Sequence, residues 1–339
     1  MAWWPTRSIP QKTLFHAHAC WLLSGTDYFA ELERNREQAG WESLVRRHLT
    51  ARAVSSPGLA AYVLNLWQTY LESGLAHEHF VRELPKGEEG AFMQPIWEMM
   101  LGRHLLPCGY DVVSPLEEGR PDFRCEKQGR VLWVEATCIT EGQDESLASH
   151  ADWRCSSGYV PHDNILIRWA SSLHAKIKQA EIHRGAGVIR PRESYVIAIN
   201  GGAIATGNYG YGLSQLPYVV ECTLAVGGLQ FVYDRRTLAL KQVAHQIRTH
   251  VVKSNKSPVP TAVFFDQTHA GIAALIGCGS LRVEGASLEL LVAHNPHAES
   301  PLPSCVLGCD TREWAARLTR RDDEMSDWKI EQIFGSDSH

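Results

Sequence analysis

The sequence predicts an α/β fold in which a mixed central sheet is flanked by helices and a helical region precedes it. Three observations carry this reading. Apolar residues recur at intervals of three and four over residues 14–73. Short β-branched and aromatic runs then follow at 110–113, 121–126, 131–138 and 195–199. A long amphipathic segment at 165–183 separates the third run from the fourth. Strands arranged around a helix of that length give a sheet with both parallel and antiparallel neighbours.

In chain order, Trp41, Leu44, Val45 and Leu49 mark one helix, and Tyr62, Val63, Leu66, Trp67, Tyr70 and Leu71 mark the next. Between them Ser55-Ser56-Pro57-Gly58 supplies a turn and an N-cap. The polar, Gly-rich stretch 84–90 is a seam. It divides the chain into an N-terminal helical subdomain over 1–85, an α/β domain over 86–295, and a C-terminal extension with a short helix over 296–339. Past the seam, a helix at 91–106 leads into three strands joined through Glu117-Glu118-Gly119 and Gln128-Gly129. A polar loop at 140–161 precedes the long helix. Beyond 195–199, strand-like runs at 218–226, 229–233, 262–265 and 288–293 alternate with one helix near 238–252.

Composition narrows the class. Of 339 residues, 44% are hydrophobic and 21% charged, which fits a folded globular chain and excludes disordered, collagen-like and coiled-coil classes. No run approaches the roughly 18 to 20 apolar residues of a membrane helix. The start, Met-Ala-Trp-Trp-Pro, lacks the basic and apolar regions of a signal peptide. The expected location is therefore cytoplasmic, with no membrane partner. Nine cysteines without a Cys-x-x-Cys pair read as reduced thiols, and Cys305 with Cys309 has no second ligand pair for a metal. A net charge of −5 argues against a generally basic surface, yet it leaves room for a local basic groove.

The chemistry concentrates in the predicted hairpin. Asp122, in Arg-Pro-Asp-Phe, starts one strand, and Glu135, in Leu-Trp-Val-Glu-Ala-Thr, lies near the end of the next. A tight turn between the strands brings the two carboxylates to one edge, close enough to share a divalent cation. Glu135 stands in an apolar run, where a charge is costly unless paired or metal-bound. Glu98 is the one acid in a helix that is apolar around nearly its whole circumference. On the long helix, at about 100° per residue, Ile165, Trp169, Leu173, Lys176 and Ala180 fall within about 80° of arc, with Gln179 at the margin. Lys176 thus lies on the core-facing stripe, where it needs an acidic partner such as Asp122 and Glu135.

These residues resemble the restriction-endonuclease-like superfamily, the PD-(D/E)XK nucleases. The resemblance covers about a third of the chain, from Ala91 to Asn200: a helix with Glu98, a hairpin with Pro121-Asp122 and then Glu135, a helix, and a further strand. One departure stands out: Thr137 occupies the position of the family lysine, and Lys176 on the following helix is the candidate replacement. The resemblance implies a restriction-endonuclease-like core and a nuclease that hydrolyses phosphodiester bonds with Mg2+ or Mn2+. The metal would be held by Asp122, Glu135, Glu98 and the carbonyl of Ala136, with Lys176 and Gln179 handling water or phosphate. It also implies nucleic acid, DNA above RNA, as the partner, roles in restriction, phage defence or repair, and a homodimer that cuts both strands.

Other readings stand beside these. Lys176 can snorkel to water, and Glu98 can pair with Arg103 or His104. Losing the lysine at Thr137 would leave a non-catalytic nuclease fold that binds nucleic acid or a protein. The direction of Lys176 separates the two: an amine within about 4 to 5 Å of the carboxylates favours the enzyme. His16, His18 and Cys20 form a metal-like tract in a helical pattern with no acid nearby, and Tyr209 and Tyr211 lie in a Gly-rich loop able to stack on bases.

Overall fold

The computed structural model describes residues 57–76, 80, 93–117, 119–142, 147, 160–204, 210–280, 288–308, 310–320 and 326–333. The helix expected around Trp41, the His16–Cys20 tract, the seam at 84–90, Tyr209 and Cys309 lie outside these residues.

Helix α1 (Pro57–Glu72) and helix α2 (Met93–Leu105) open the described chain. A 3-10 turn at Leu106–Cys108 ends at Gly109, which adopts φ 78°. Such a left-handed conformation is open to glycine at little cost. Strands β1 (Asp111–Val113), β2 (Phe123–Lys127) and β3 (Arg130–Cys138) then form a meander. Gln128 and Gly129 both have positive φ, 52° and 73°, as a two-residue turn of the primed type requires. Helix α3 (His162–Gly185) crosses over to β4 (Ser194–Asn200), which pairs with β3 in parallel.

Helix α4 (Tyr218–Glu221) leads to β5 (Val226–Tyr233) and β6 (Leu240–Ile247), an exposed two-stranded ribbon, and to the short pair β7 (His250–Val252) and β8 (Pro258–Pro260). Strands β9 (Ala274–Cys278), β10 (Leu291–His294), β11 (Arg312–Arg320) and β12 (Ser326–Ile333) complete the main sheet. Its order is β1-β2-β3-β4-β9-β10-β11-β12. The chain is thus mixed α/β, with a large mixed sheet flanked by helices. No helix among the described residues is long and apolar enough to cross a membrane.

Alternation along the central strands builds two cores. Val196 and Ala198 of β4 face α1 and α2, beside Val134 and Ala136 of β3, whereas Tyr195, Ile197 and Ile199 face α3 with its Ile165, Trp169 and Leu173. All of these are buried. Five consecutive apolar residues on β4 therefore serve both faces, as a covered parallel strand requires. The α1 residues Val63, Leu66 and Tyr70 share a core with α2 and the sheet.

Four expected elements differ. The helix near 238–252 is instead β6 and β7: Leu240 to Ile247 pairs along β5, and most of its side chains stay exposed, so no core receives the face a helix would dock. The strand at 218–226 begins as α4, whose residues are all buried, and only Val226 onward is strand. The run 262–265 is a 3-10 turn, and the strand next to β4 is Ala274–Cys278. In the C-terminal extension, no short helix occurs among the described residues. Residues 312–320 and 326–333 join the sheet as strands, with Trp314 and Ala316 buried on the α3 face by their period of two.

Candidate active site

The β2–β3 pairing ends where Phe123 meets Val134. Beyond it, the outer edge of β3 carries the N–H and carbonyl of Ala136 and the N–H of Cys138, and a buried edge must satisfy each of them. Side chains do this. Ala136 N donates to Asp122 Oδ2 at 2.6 Å. Gln94 of α2 donates through Nε2 to the Ala136 carbonyl at 3.1 Å and accepts through Oε1 from Cys138 N at 2.6 Å. The same Nε2 reaches Glu98 Oε1, one helical turn on, at 2.9 Å.

Glu135 points to the α3 side of β3 and is 3% exposed. Its Oε1 accepts from Lys176 Nζ at 2.5 Å, and its Oε2 from the Tyr195 hydroxyl at 3.4 Å. Lys176 also donates to Gln179 Oε1 at 3.1 Å. The amine therefore sits against the carboxylate, with 22% of its side chain exposed. Arg103 and His104 are engaged elsewhere, donating to Asn65 Oδ1 and the Leu307 carbonyl, so Glu98 has Gln94 as its hydrogen-bond partner.

Charge is concentrated here. Glu98, Asp122 and Glu135 face one ammonium, a formal excess of two negative charges when all are ionised. Burial pushes the Glu98 carboxyl up to about 7, with the Glu135 charge adding to the rise and the Gln94 bond and Lys176 opposing it. Burial, then the charges of Glu98 and Glu135, hold Asp122 well above the ordinary carboxylate range, against the Ala136 N–H bond and Lys176. Burial and the Glu135 and Asp122 charges raise the Tyr195 phenol. Burial and the charges of Glu98 and Asp122 do the same at Tyr70.

Among the described residues, no group of three or more His, Cys, Asp or Glu side chains is disposed to hold a metal ion. The contacts explain the arrangement: Asp122 is turned onto Ala136 N, Glu135 onto Lys176 and Glu98 onto Gln94. The chemistry of the donor set nonetheless suits a hard divalent cation: Glu98, Asp122 and Glu135 lie near enough to couple electrostatically, beside the edge that carries the Ala136 carbonyl.

The structure thus joins Glu135, Lys176 and Gln179 by direct contacts, sets Asp122 on the neighbouring Ala136 N–H, and ties Glu98 to the same edge through Gln94. Thr137 lies half-buried beside them. Sequence reasoning missed three residues. Gln94 is a polar residue four before Glu98 in an apolar helix, a spacing that places the two on one face. Tyr195 pairs with Trp133 across β3 and β4 and reaches Glu135 from there. His183, seven residues past Lys176 on the same stripe, packs its ring against Tyr195 at 6.4 Å. It is buried, with Nδ1 unpartnered. Compared with models of protein families, with curated proteins and with solved structures, the chain matches none.

Proposed function

We propose that the chain is a metal-dependent nuclease of restriction-endonuclease-like architecture, hydrolysing phosphodiester bonds in DNA. The observation that carries the reading is the 2.5 Å contact of Lys176 with Glu135 beside the Asp122 edge of β3. It supplies, from the following helix, the cation that Thr137 does not. The order of helix α2, the β2–β3 hairpin, α3 and the parallel strand β4 supports the fold reading. The preference for DNA rests on the resemblance alone, as do the restriction, defence and repair roles and the homodimer.

The residues that would hold Mg2+ or Mn2+ are Asp122, Glu135, Glu98 and, through its carbonyl, Ala136. A divalent ion there would supply an acidified water and neutralise charge growing on the scissile phosphate. Lys176, with protons shared between Glu135 and Gln179, is placed to donate to the attacking water or to a non-bridging phosphate oxygen. Gln179 fixes the amine from the other side. Without the ion, Glu98 takes up a proton as pH falls through about 7, so ion and proton would compete for it.

The test is cleavage of plasmid, single-stranded DNA and RNA with Mg2+ or Mn2+, comparing the wild type with Asp122→Ala and Lys176→Ala. Metal-dependent cutting abolished by both supports the proposal. No cutting on any substrate, together with no metal binding by calorimetry, favours a non-catalytic nuclease fold, and cutting that survives Asp122→Ala removes the site.

A further inference from the structure

A concavity apart from the candidate active site lies at the closed end of the β2–β3 hairpin. Lys127 pairs with Arg130 there, four strand residues from Phe123, which is about 13 Å from the Asp122 end at 3.3 Å per residue. The pocket has a volume of about 590 Å3. That falls within the range of small-molecule sites and is far more than a bare phosphate needs.

We propose that this pocket binds a small organic anion of nucleotide size, with its charge toward Lys127, Arg130 and Arg192 and its body against the apolar wall. The three cations face one lining carboxylate, Glu299, in a chain whose net charge is −5. Among the described residues, no carboxylate lies within 4 Å ion-pair distance of any of the three. Their charge is therefore available to a ligand.

Lys127 is held in place by its side chain, and Arg192 by its backbone. Lys127 Nζ donates to the Cys108 carbonyl at 2.6 Å and lies 5.4 Å from the centre of the Tyr110 ring. Arg192 has φ 73°, a conformation that side chains other than glycine avoid. The turn that imposes it is fixed on both sides. Glu193 Oε2 accepts from Arg190 N at 2.9 Å and from Trp133 Nε1 at 2.8 Å. Ser300 Oγ donates to the Arg192 carbonyl at 2.8 Å and meets Ser194 Oγ at 3.2 Å. The opposite wall is apolar, with Leu132 and Leu302 buried and Val306 half-buried. A cationic rim over an apolar wall recognises a ligand that carries both a phosphate and a hydrophobic or aromatic body.

Two sources share that chemistry: a free mononucleotide and the phosphorylated end of a strand. The test titrates the full chain in EDTA, by calorimetry, with AMP, ATP, inorganic phosphate, and a short single-stranded oligonucleotide with and without a 5′-phosphate. AMP or ATP should bind, and inorganic phosphate should bind at least about tenfold more weakly. Arg130→Glu and Arg192→Glu should each weaken binding about tenfold, as loss of a charge-assisted contact does. Leu302→Trp, which fills the cavity, should block binding, and Lys241→Glu on the exposed ribbon should not change it. Binding of the 5′-phosphorylated oligonucleotide above AMP assigns the pocket to a strand end, and the reverse assigns it to the free nucleotide. No binding of any probe up to about 10 mM overturns the proposal, as does affinity untouched by both charge reversals or inorganic phosphate binding as well as AMP. Because the readout is metal-free binding, it fails or succeeds independently of the nuclease reading.

Discussion

Gln94 donates to the carbonyl of Ala136 at 3.1 Å, so the side chain of one helical residue occupies the place of a paired strand. With its oxygen accepting from Cys138 N at 2.6 Å, the amide forms a one-residue bridge along β3. Asp122 supplies the remaining acceptor, at Ala136 N. The end of the sheet is thereby open in its strand order yet closed in its hydrogen bonding, which is what lets acidic side chains gather there without orphaned backbone groups.

Replacing Gln94 with Leu should cost about 2 to 4 kcal/mol, because two buried backbone groups lose their partners together. Gln94→Glu should behave differently. It keeps an acceptor for Cys138 N, loses the donor to Ala136, and sets a new carboxylate beside Glu98. Its penalty in urea unfolding should be larger at pH 8 than at pH 5. A penalty independent of pH would mean that Glu98 and position 94 do not interact.

Lys176→Met should lower single-turnover cleavage by about a hundredfold or more, the scale of losing one preorganised donor. It should also destabilise the fold by about 1 to 3 kcal/mol, less than for a fully buried pair, because Lys176 keeps some exposure while Glu135 has almost none. The double variant with Glu135→Gln separates the two effects. Removing the stranded charge should recover stability and leave cleavage abolished. Recovery of both would make the pair a structural ion pair only.

The pH dependence follows from Glu98. Its carboxyl is raised from about 4.5 to about 7, so between those values the folded state binds more protons than the unfolded state. The contribution is fully present below pH 4.5 and is lost as pH rises through 7. Metal-free protein should therefore lose at most about 3 kcal/mol from this group between pH 4.5 and 8, and Glu98→Gln should flatten that slope. At the proposed metal site, Mg2+ would compete with the proton for the same oxygens. It should raise the melting temperature more at pH 8 than at pH 6, and an equal rise at both would place the ion elsewhere.

Much of the sheet's middle was legible in the sequence, and the reason is periodicity. The runs of β3 and β4 and the stripe of α3 are long enough to fix their faces, and they carry Glu135 and Lys176 to one side of the sheet. Asp122 was legible because the Gln128-Gly129 turn sets the hairpin register. The contacts that satisfy the edge were not. Gln94 acts through a single amide across 42 residues, and no local pattern records that distance. The ribbon β5–β6 misled because Leu240, Val243 and Ile247 sit at three- and four-residue intervals, while their exposure shows that no core receives them. Strand β9 was hidden for the opposite reason: Ala-Leu-Ile-Gly-Cys is short, fully buried and interrupted by glycine.

That glycine leads to a last expectation. Gly277 of β9 lies beneath α3 and α4, and a Cβ there would collide with Val219 and come within 3.2 Å of the Trp169 ring. Glycine normally weakens a strand; here it makes room for two helices to approach the sheet. Trp169 stacks on Tyr218 at 6.0 Å, whose hydroxyl lies 2.7 Å from His162 Nδ1, so the ring has little freedom to retreat. Gly277→Ala should cost about 1 to 3 kcal/mol by overpacking, and adding Val219→Ala should recover part of it. Trp169 stands two helical turns before Lys176 on the same stripe. A shift of α3 away from β9 should thus draw the amine from Glu135 and reduce cleavage more than the loss of folded protein explains. A neutral Gly277→Ala would mean that α3 does not sit on the sheet as closely as its contact with Glu135 requires.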